Sequence, residues 1–130
     1  FNSTWKWAGK FRTYQTNIGV PPYQIREELF KLCKDTQFWI QNHTFPSDEI
    51  AVRFHHKLVK IHPFPNGNGR FSRLITDALL KILNVKPFKW NDQNLNVDCE
   101  VRKKYISALQ KADQEDYSAL IAFCTQPSEI

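Results

Sequence analysis

Apolar residues recur along most of this chain with the period of an α-helix. Ile25, Leu29, Leu32 and Cys33 fall at i, i+4, i+7 and i+8, and Ile40 two turns further on. Pro21 and Pro22 precede them, and Glu27 and Glu28 follow closely, which is where a helix N-terminus accepts proline and favours acids. Ser47 offers the N-cap of a second helix with Asp48 and Glu49 in its first turn, and Ile50, Phe54, Leu58 and Ile61 form its stripe. Pro63 and Pro65 end it. Past Gly67 and Gly69, the positions Phe71, Leu74, Ile75, Ala78, Leu79 and Ile82 predict a third helix, apolar enough to be expected at the centre of the fold. Residues 84–97 are polar and carry Pro87, Asn91, Asn94 and Asn96, so they read as a loop, anchored by Trp90. Asp98 predicts the cap of a fourth helix through Val101, Tyr105, Leu109 and Ala112; a fifth carries Tyr117, Leu120, Ile121 and Phe123. Only residues 11–20 have strand character, with Phe11, Thr13, Tyr14 and Thr16 ahead of a turn at Asn17-Ile18-Gly19. The expected fold is mainly α: a helical bundle with one small β-hairpin, a single domain over residues 1–130.

Composition narrows the function classes. With 42% hydrophobic and 24% charged residues, the chain has the balance of a folded domain rather than a disordered tail. No uninterrupted apolar run approaches ~18 residues, so no membrane span is expected. Residues 1–10 show no signal-peptide pattern and the chain lacks methionine, so it is expected to be part of a longer, cytoplasmic protein whose N-terminal part is missing. Lys and Arg number 18 against 13 Asp and Glu, a net charge of +5, but no block of five basic residues occurs. That distribution fits a mildly basic surface or an anionic partner such as nucleic acid or a nucleotide, and the scatter of the charges makes nucleic acid the less expected of the two. Cys33, Cys99 and Cys124 are odd in number without a CxxC pair, which indicates neither a disulfide framework nor a zinc site. Cys33 and Cys124 are expected to pack as small hydrophobes. His55 and His56 are adjacent and point apart on a helix, so His55 reads as a core or interface residue rather than a metal ligand. Trp5, Trp7, Trp39 and Trp90 read as core or subunit-contact aromatics, which leaves an oligomer open. Tyr105 reads first as a packing residue.

The chemistry concentrates in one run, Ile61-His62-Pro63-Phe64-Pro65-Asn66-Gly67-Asn68-Gly69-Arg70-Phe71-Ser72-Arg73. Gly67 and Gly69 permit positive φ, so the N–H groups around Asn68 can converge into an anion-binding nest. The loop feeds the N-terminus of the third helix, whose free N–H groups and dipole add positive potential. Arg70 and Arg73 are three apart and reach the same end of that helix, which makes a site for a di- or triphosphate. His62 stands at the other lip with an ordinary pKa near ~6.5, suited to a general base. Each residue alone is compatible with a turn or a cap; no turn requires all of them at this spacing. The run is not a Walker loop, because Gly69 is followed by Arg70.

This run resembles the signature of the Fic/DOC family, HPFx[D/E]GN[G/K]RxxR, at every fixed position but one. Trp7-Ala8-Gly9-Lys10-Phe11-Arg12 is similar to the segment leading into that family's β-hairpin flap, and Arg102, Tyr105, Ala108-Leu109 and residues 112–117 are similar to its C-terminal helices. The pattern, with His55-His56-Lys57-Leu58 and Trp90, most resembles the Fic-domain group called mobile mystery protein B. The resemblance implies protein adenylylation. His62 would deprotonate a hydroxyl of a target protein, which attacks the α-phosphate of ATP and releases pyrophosphate. The backbone at Gly67, Asn68 and Gly69, with the Asn68 side chain, would hold the α-phosphate, and Arg70 and Arg73 the β- and γ-phosphates. Phe64 would pack into the core and fix the loop, and a flap over residues 12–23 would bind target backbone.

Asn66 departs from the signature. The family has Asp or Glu there as a ligand to Mg²⁺, and Asn keeps an oxygen but no charge. The residue is expected either to touch Mg²⁺ held mainly by the phosphates or to mark altered chemistry. The alternatives are therefore a Fic-fold phosphotransferase, a relative using another donor or removing AMP, and a nucleotide- or protein-binding module without catalysis. Family members are often inhibited by a helix of pattern [S/T]xxxE[G/N] whose Glu pairs with the second motif arginine, here Arg73. Only Thr125 and Glu129 have the spacing, with Pro127 between them and Ile130 after, so the pattern is rejected here. An inhibitory element is expected in the missing N-terminal part or in a separate antitoxin-like protein.

Overall fold

The computed structural model describes residues 10–16, 18–90 and 99–125. A 3₁₀ turn over Pro22–Gln24 leads into α1 (Ile25–Gln41), followed by α2 (Ser47–Ile61), α3 (Asn68–Ile82), α4 (Glu100–Asp113) and α5 (Ser118–Cys124). The helices start and stop where the prolines and glycines dictate. Pro21 and Pro22 sit in the turn that opens α1, and Pro63 follows the end of α2. Pro46 rather than Ser47 occupies the N-cap of α2, and Ser47 makes no capping hydrogen bond. Asp48 takes over part of that task, its Oδ1 accepting the Glu49 N–H at 2.8 Å. Asp98 falls outside the described residues; the N-cap of α4 is Cys99.

The central helix is α2, not α3. Ile50, Ala51, Val52, Phe54, His55, His56, Leu58 and Ile61 are all buried, on faces that point both ways. Phe54, Leu58 and Ile61 join Ile25 and Leu32 of α1 in one cluster, to which Phe11, Val20, Phe71 and Ile75 add. Ala51 and Val52 join Leu80, Phe88, Trp90, Tyr105, Ala108, Ala112, Tyr117, Leu120, Phe123 and Cys124 in the other. In α3 the expectation fails for a definite reason. Its buried row is Asn68, Ser72, Thr76 and Leu80, at successive i+4 positions, while Leu74 and Ile82 are exposed at 47% and 78%. Small side chains let α3 lie close against α2. Ser72 Oγ and Thr76 Oγ1 satisfy themselves on the carbonyls of Gly69 (2.9 Å) and Ser72 (2.7 Å), so the polar row is buried without orphaned hydroxyls.

Residues 10–16 and 18–20 contain no strand; Asn17 of the expected turn lies outside the described residues. The segment is instead tied to the end of α2. Arg12 N donates to Pro63 O at 2.9 Å and Val20 N to Ile61 O at 3.3 Å. Cys124 is buried, with its thiol pushed up to about 12 by burial, whereas Cys33 is exposed on α1 instead of packing inside. Trp90 anchors its segment as expected, its Nε1–H donating to Asp77 Oδ1 at 2.8 Å. Trp5 and Trp7 lie outside the described residues.

Two core histidines join distant helices. His55 is fully buried, with Nε2 2.7 Å from the Tyr105 hydroxyl and its ring 4.6 Å from that of Trp90. His56 Nδ1 lies 3.1 Å from the Tyr117 hydroxyl and Nε2 2.8 Å from Asp113 Oδ1. Burial, the largest cause in both, pushes His55 down to about 3 and lowers His56 against the opposing pull of Asp113. In acid the unfolded chain therefore binds more protons than the native one, so these groups add stability that is complete above about pH 6.5 and is lost as pH falls, for His55 down toward 3. For His55 the slope in that window is on the order of 1 kcal/mol per pH unit. The urea midpoint is expected to be clearly lower at pH 5 than at pH 7.5; equal midpoints would contradict the burial of these neutral imidazoles.

Candidate active site

The loop between α2 and α3 is built from two left-handed residues. His62, the C-cap of α2, has φ 53° and ψ 62°, a conformation uncommon for a residue with a side chain. It swings the imidazole away from the helix axis just before Pro63. Gly67, the N-cap of α3, has φ 75° and ψ 12°, and the next residue is already helical. A left-handed residue leading into a helix turns successive N–H groups to one side, so a nest forms on the positive end of α3. Gly69 does not share the left-handed conformation expected from the sequence; it lies in the first turn of α3, where a Cβ would come within 3.0 Å of Arg73 Nη1.

Asn68 holds the loop closed. Its Oδ1 accepts the Phe64 N–H at 2.8 Å and its Nδ2 donates to Phe64 O at 2.8 Å. Both ends of the carboxamide are engaged on the loop backbone, so its side chain shapes the nest. Phe64 is half-buried, its ring 4.8 Å from that of Phe71 and 5.8 Å from that of Phe11.

His62 is supported from a direction the sequence does not reveal. Arg12 is only 2% exposed, and its guanidinium caps the end of α2. Nε donates to His62 O at 2.5 Å, Nη2 to Ile61 O at 3.1 Å and to Val20 O, and Nη1 to Tyr14 O at 3.1 Å. A cation on the terminal carbonyls satisfies acceptors that have no partner within the helix and complements its dipole. Burial first, and the Arg12 charge second, hold the His62 imidazole below its ordinary value. The ring is therefore neutral at pH 7 and able to take a proton. Proton-abstracting activity is expected to hold at neutral pH and to fall only at pH values lower than those at which an ordinary imidazole protonates.

Gly19 completes the support. Its φ is 106°, and a Cβ there would lie 2.6 Å from Arg12 Nη2, 2.7 Å from His62 Cβ and 3.0 Å from Ile61 O. Gly19→Ala is expected to cost ~1–3 kcal/mol of stability and to displace the imidazole, lowering turnover more than nucleotide affinity. Thermal unfolding and steady-state kinetics check this; an unchanged turnover number would contradict the close approach.

His62 and the start of α3 line one cleft of about 610 Å³. All the residues singled out from the sequence meet there: His62, Asn66, Gly67, Asn68, Gly69, Arg70 and Arg73. Arg73 is buried and Arg70 exposed, so the two cations act at different depths. The opposite wall comes from α4, with Arg102, Tyr105 and Ile106. Arg102 is a site residue that periodicity does not flag, because an exposed arginine on an amphipathic helix looks like solvated surface. The donor set suits an anion and not a hard cation. Among the described residues no Asp or Glu lines the cleft, and Asn66, exposed at its lip, brings only a neutral carboxamide. A protein-held Mg²⁺ does not fit these residues. No group of three or more His, Cys, Asp or Glu residues among the described residues could hold a metal ion, and no described helix is long and apolar enough to cross a membrane.

Comparison with known proteins agrees with the loop signature. The pattern of the Fic/DOC family matches residues 1–80. The chain is similar to Protein adenylyltransferase Fic of Aedes aegypti, 33% identical over 127 residues, which cover 94% of this chain and 24% of that protein. It is 30% identical over 129 residues to Protein adenylyltransferase fic-1 of Caenorhabditis elegans, covering 94% of this chain and 23% of the other. A solved structure of Fic-1 from C. elegans superposes with a TM-score of 0.62 at 28% identity, over 90% of this chain and 33% of that one. The chain thus spans about a quarter of the length of these curated relatives.

Proposed function

The chain belongs to the Fic/DOC family, and from that premise we propose that it transfers AMP from ATP to a hydroxyl of a protein. The single observation that carries the reading is the convergence of His62 with the α3 nest, Arg70 and Arg73 on one cleft. A neutral imidazole beside an anion cradle suits a reaction in which a proton leaves a nucleophile as negative charge builds on a phosphate. The target hydroxyl oxygen attacks the α-phosphorus while a ring nitrogen of His62 takes its proton. The bond from the α-phosphorus to the bridging oxygen breaks, and pyrophosphate leaves with the bonding pair. Backbone N–H groups from Gly67 to Gly69 face the α-phosphate, and Arg70 and Arg73 hold the leaving pyrophosphate.

Residues 12–16 and 18–23, held beside His62 by Arg12, are the element we assign to target docking, by main-chain pairing in the manner of a flap. Exposed Tyr14 and Ile18 give it side chains to present to a partner. A separate antitoxin-like protein would inhibit by placing a carboxylate against Arg73. The test uses ATP labelled at either phosphorus, with a cell lysate as the source of acceptor. Label from the α position on protein, with pyrophosphate released, is the expected result. Label from the γ position with release of ADP would replace this reading with phosphoryl transfer.

A further inference from the structure

His55 has no part in the transfer as described, yet it is bonded to both helices that wall the cleft. Its Nε2 lies 2.7 Å from the hydroxyl of Tyr105, a lining residue on α4, and its Nδ1 lies 3.4 Å from Thr76 Oγ1 on α3. The direction of these bonds follows from the protons available. Thr76 Oγ1 donates its one proton to the Ser72 carbonyl at 2.7 Å, so toward His55 it can only accept. Nδ1 therefore carries the ring proton. The Ser72 carbonyl agrees, being the one group that acts to raise the pKa of this imidazole. Burial keeps the ring neutral at pH 7, so Nε2 has a lone pair and accepts the Tyr105 O–H. Trp90 covers the ring at 4.6 Å and is itself fixed to α3 through Asp77.

We propose that His55 is a positioning residue for the nucleotide: fixed on α3 through Nδ1–H, it holds Tyr105 through Nε2 and so sets the distance of the α4 wall from the start of α3. The inference rests on the nucleotide-transfer reading and deepens it. His55 is fully buried, so it acts through Tyr105 and touches neither ATP nor the target. His62 is placed independently, by Arg12 at the end of α2, and the loop is closed by Asn68 on Phe64. Loosening Tyr105 therefore leaves the base and the nest where they are. The effect falls on capture of the nucleotide and not on the chemical step.

The experiment compares His55→Phe, Tyr105→Phe and the double variant, each of which keeps a ring at the site. It reads kcat and KM for ATP in the α-label assay, ATP affinity by titration calorimetry, and the protonation of the His55 ring nitrogens by ¹⁵N NMR. Expected for each single variant is a KM about tenfold higher, with weaker ATP binding in parallel and kcat within about threefold of wild type. The double variant should be no worse than the worse single one, because both remove the same bond. In the wild type the proton should sit on Nδ1, and Tyr105→Phe should shift the Nε2 resonance. Should His55→Phe fail to fold, Tyr105→Phe, which loses only a hydroxyl, and the wild-type NMR signal decide the matter. A proton on Nε2, an unchanged KM in Tyr105→Phe, or single effects that multiply in the double variant would overturn the inference and leave the transfer reading standing. No ATP binding by the wild type would overturn the transfer reading, and this inference with it.

Discussion

Arg12→Ala is expected to unfold the protein by ~3–5 kcal/mol more readily and to cripple turnover in whatever remains folded. The guanidinium serves four carbonyls from three parts of the chain, at Tyr14, Val20, Ile61 and His62. Alanine would leave the last carbonyls of α2 facing a hole. Each hydrogen bond from a charged donor is worth ~1.5–3 kcal/mol, and the cost of desolvating the arginine itself takes back part of the sum. For a chain of this size the loss corresponds to a fall in Tm of roughly 10 °C or more. Arg12→Lys keeps the charge but cannot span the fork, so it should recover only part of the stability. A second readout separates electrostatics from packing. Because the Arg12 charge helps hold the His62 imidazole down, the acid limb of the rate profile should move to higher pH in Arg12→Ala. A variant with unchanged Tm and an unmoved acid limb would contradict the role assigned to this residue.

His62→Ala is expected to lower turnover by ~10²–10⁴, the range for removing one general base, with the affinity for ATP nearly unchanged. The nest, Arg70 and Arg73 that would hold the phosphates lie beyond Pro63 and do not depend on the imidazole for their geometry; the loop is closed by Asn68 on Phe64. His62→Gln keeps a polar side chain of similar reach and cannot act as a base at neutral pH, so it should be as slow as alanine. Turnover within a few-fold of wild type in both variants would remove His62 from the chemistry.

The helices were legible in the sequence because their signals are local. Prolines at 21, 22, 63 and 65, acids in first turns and apolar periods placed α1 to α5 to within about one turn. The chemistry of the α2–α3 loop was legible for the same reason, since a left-handed histidine, a left-handed glycine and two arginines sit within twelve residues of one another. Contacts between elements far apart in the chain were not legible. Arg12 reaches His62 across 50 positions, and a buried arginine looks the same in a sequence as a solvated one. His55 finds Tyr105 at the same separation. The misreading of α3 has a related cause: a hydrophobic stripe shows which face is apolar, and packing against α2 instead selected the face small enough to approach. The Asn68 side chain closes the loop on Phe64, a role that no property of the isolated residue distinguishes.

The central claim is that this chain uses His62, set at the left-handed end of α2, to activate a protein hydroxyl against the α-phosphate of ATP. The most direct measurement incubates wild type and His62→Ala side by side with α-labelled ATP and the same lysate, and follows covalent label on protein with time. The account predicts a labelled band that grows with the wild type and is absent or slower by ~10²-fold or more with the variant. Equal labelling by the two proteins, or label that enters protein only from the γ-phosphate, would contradict it.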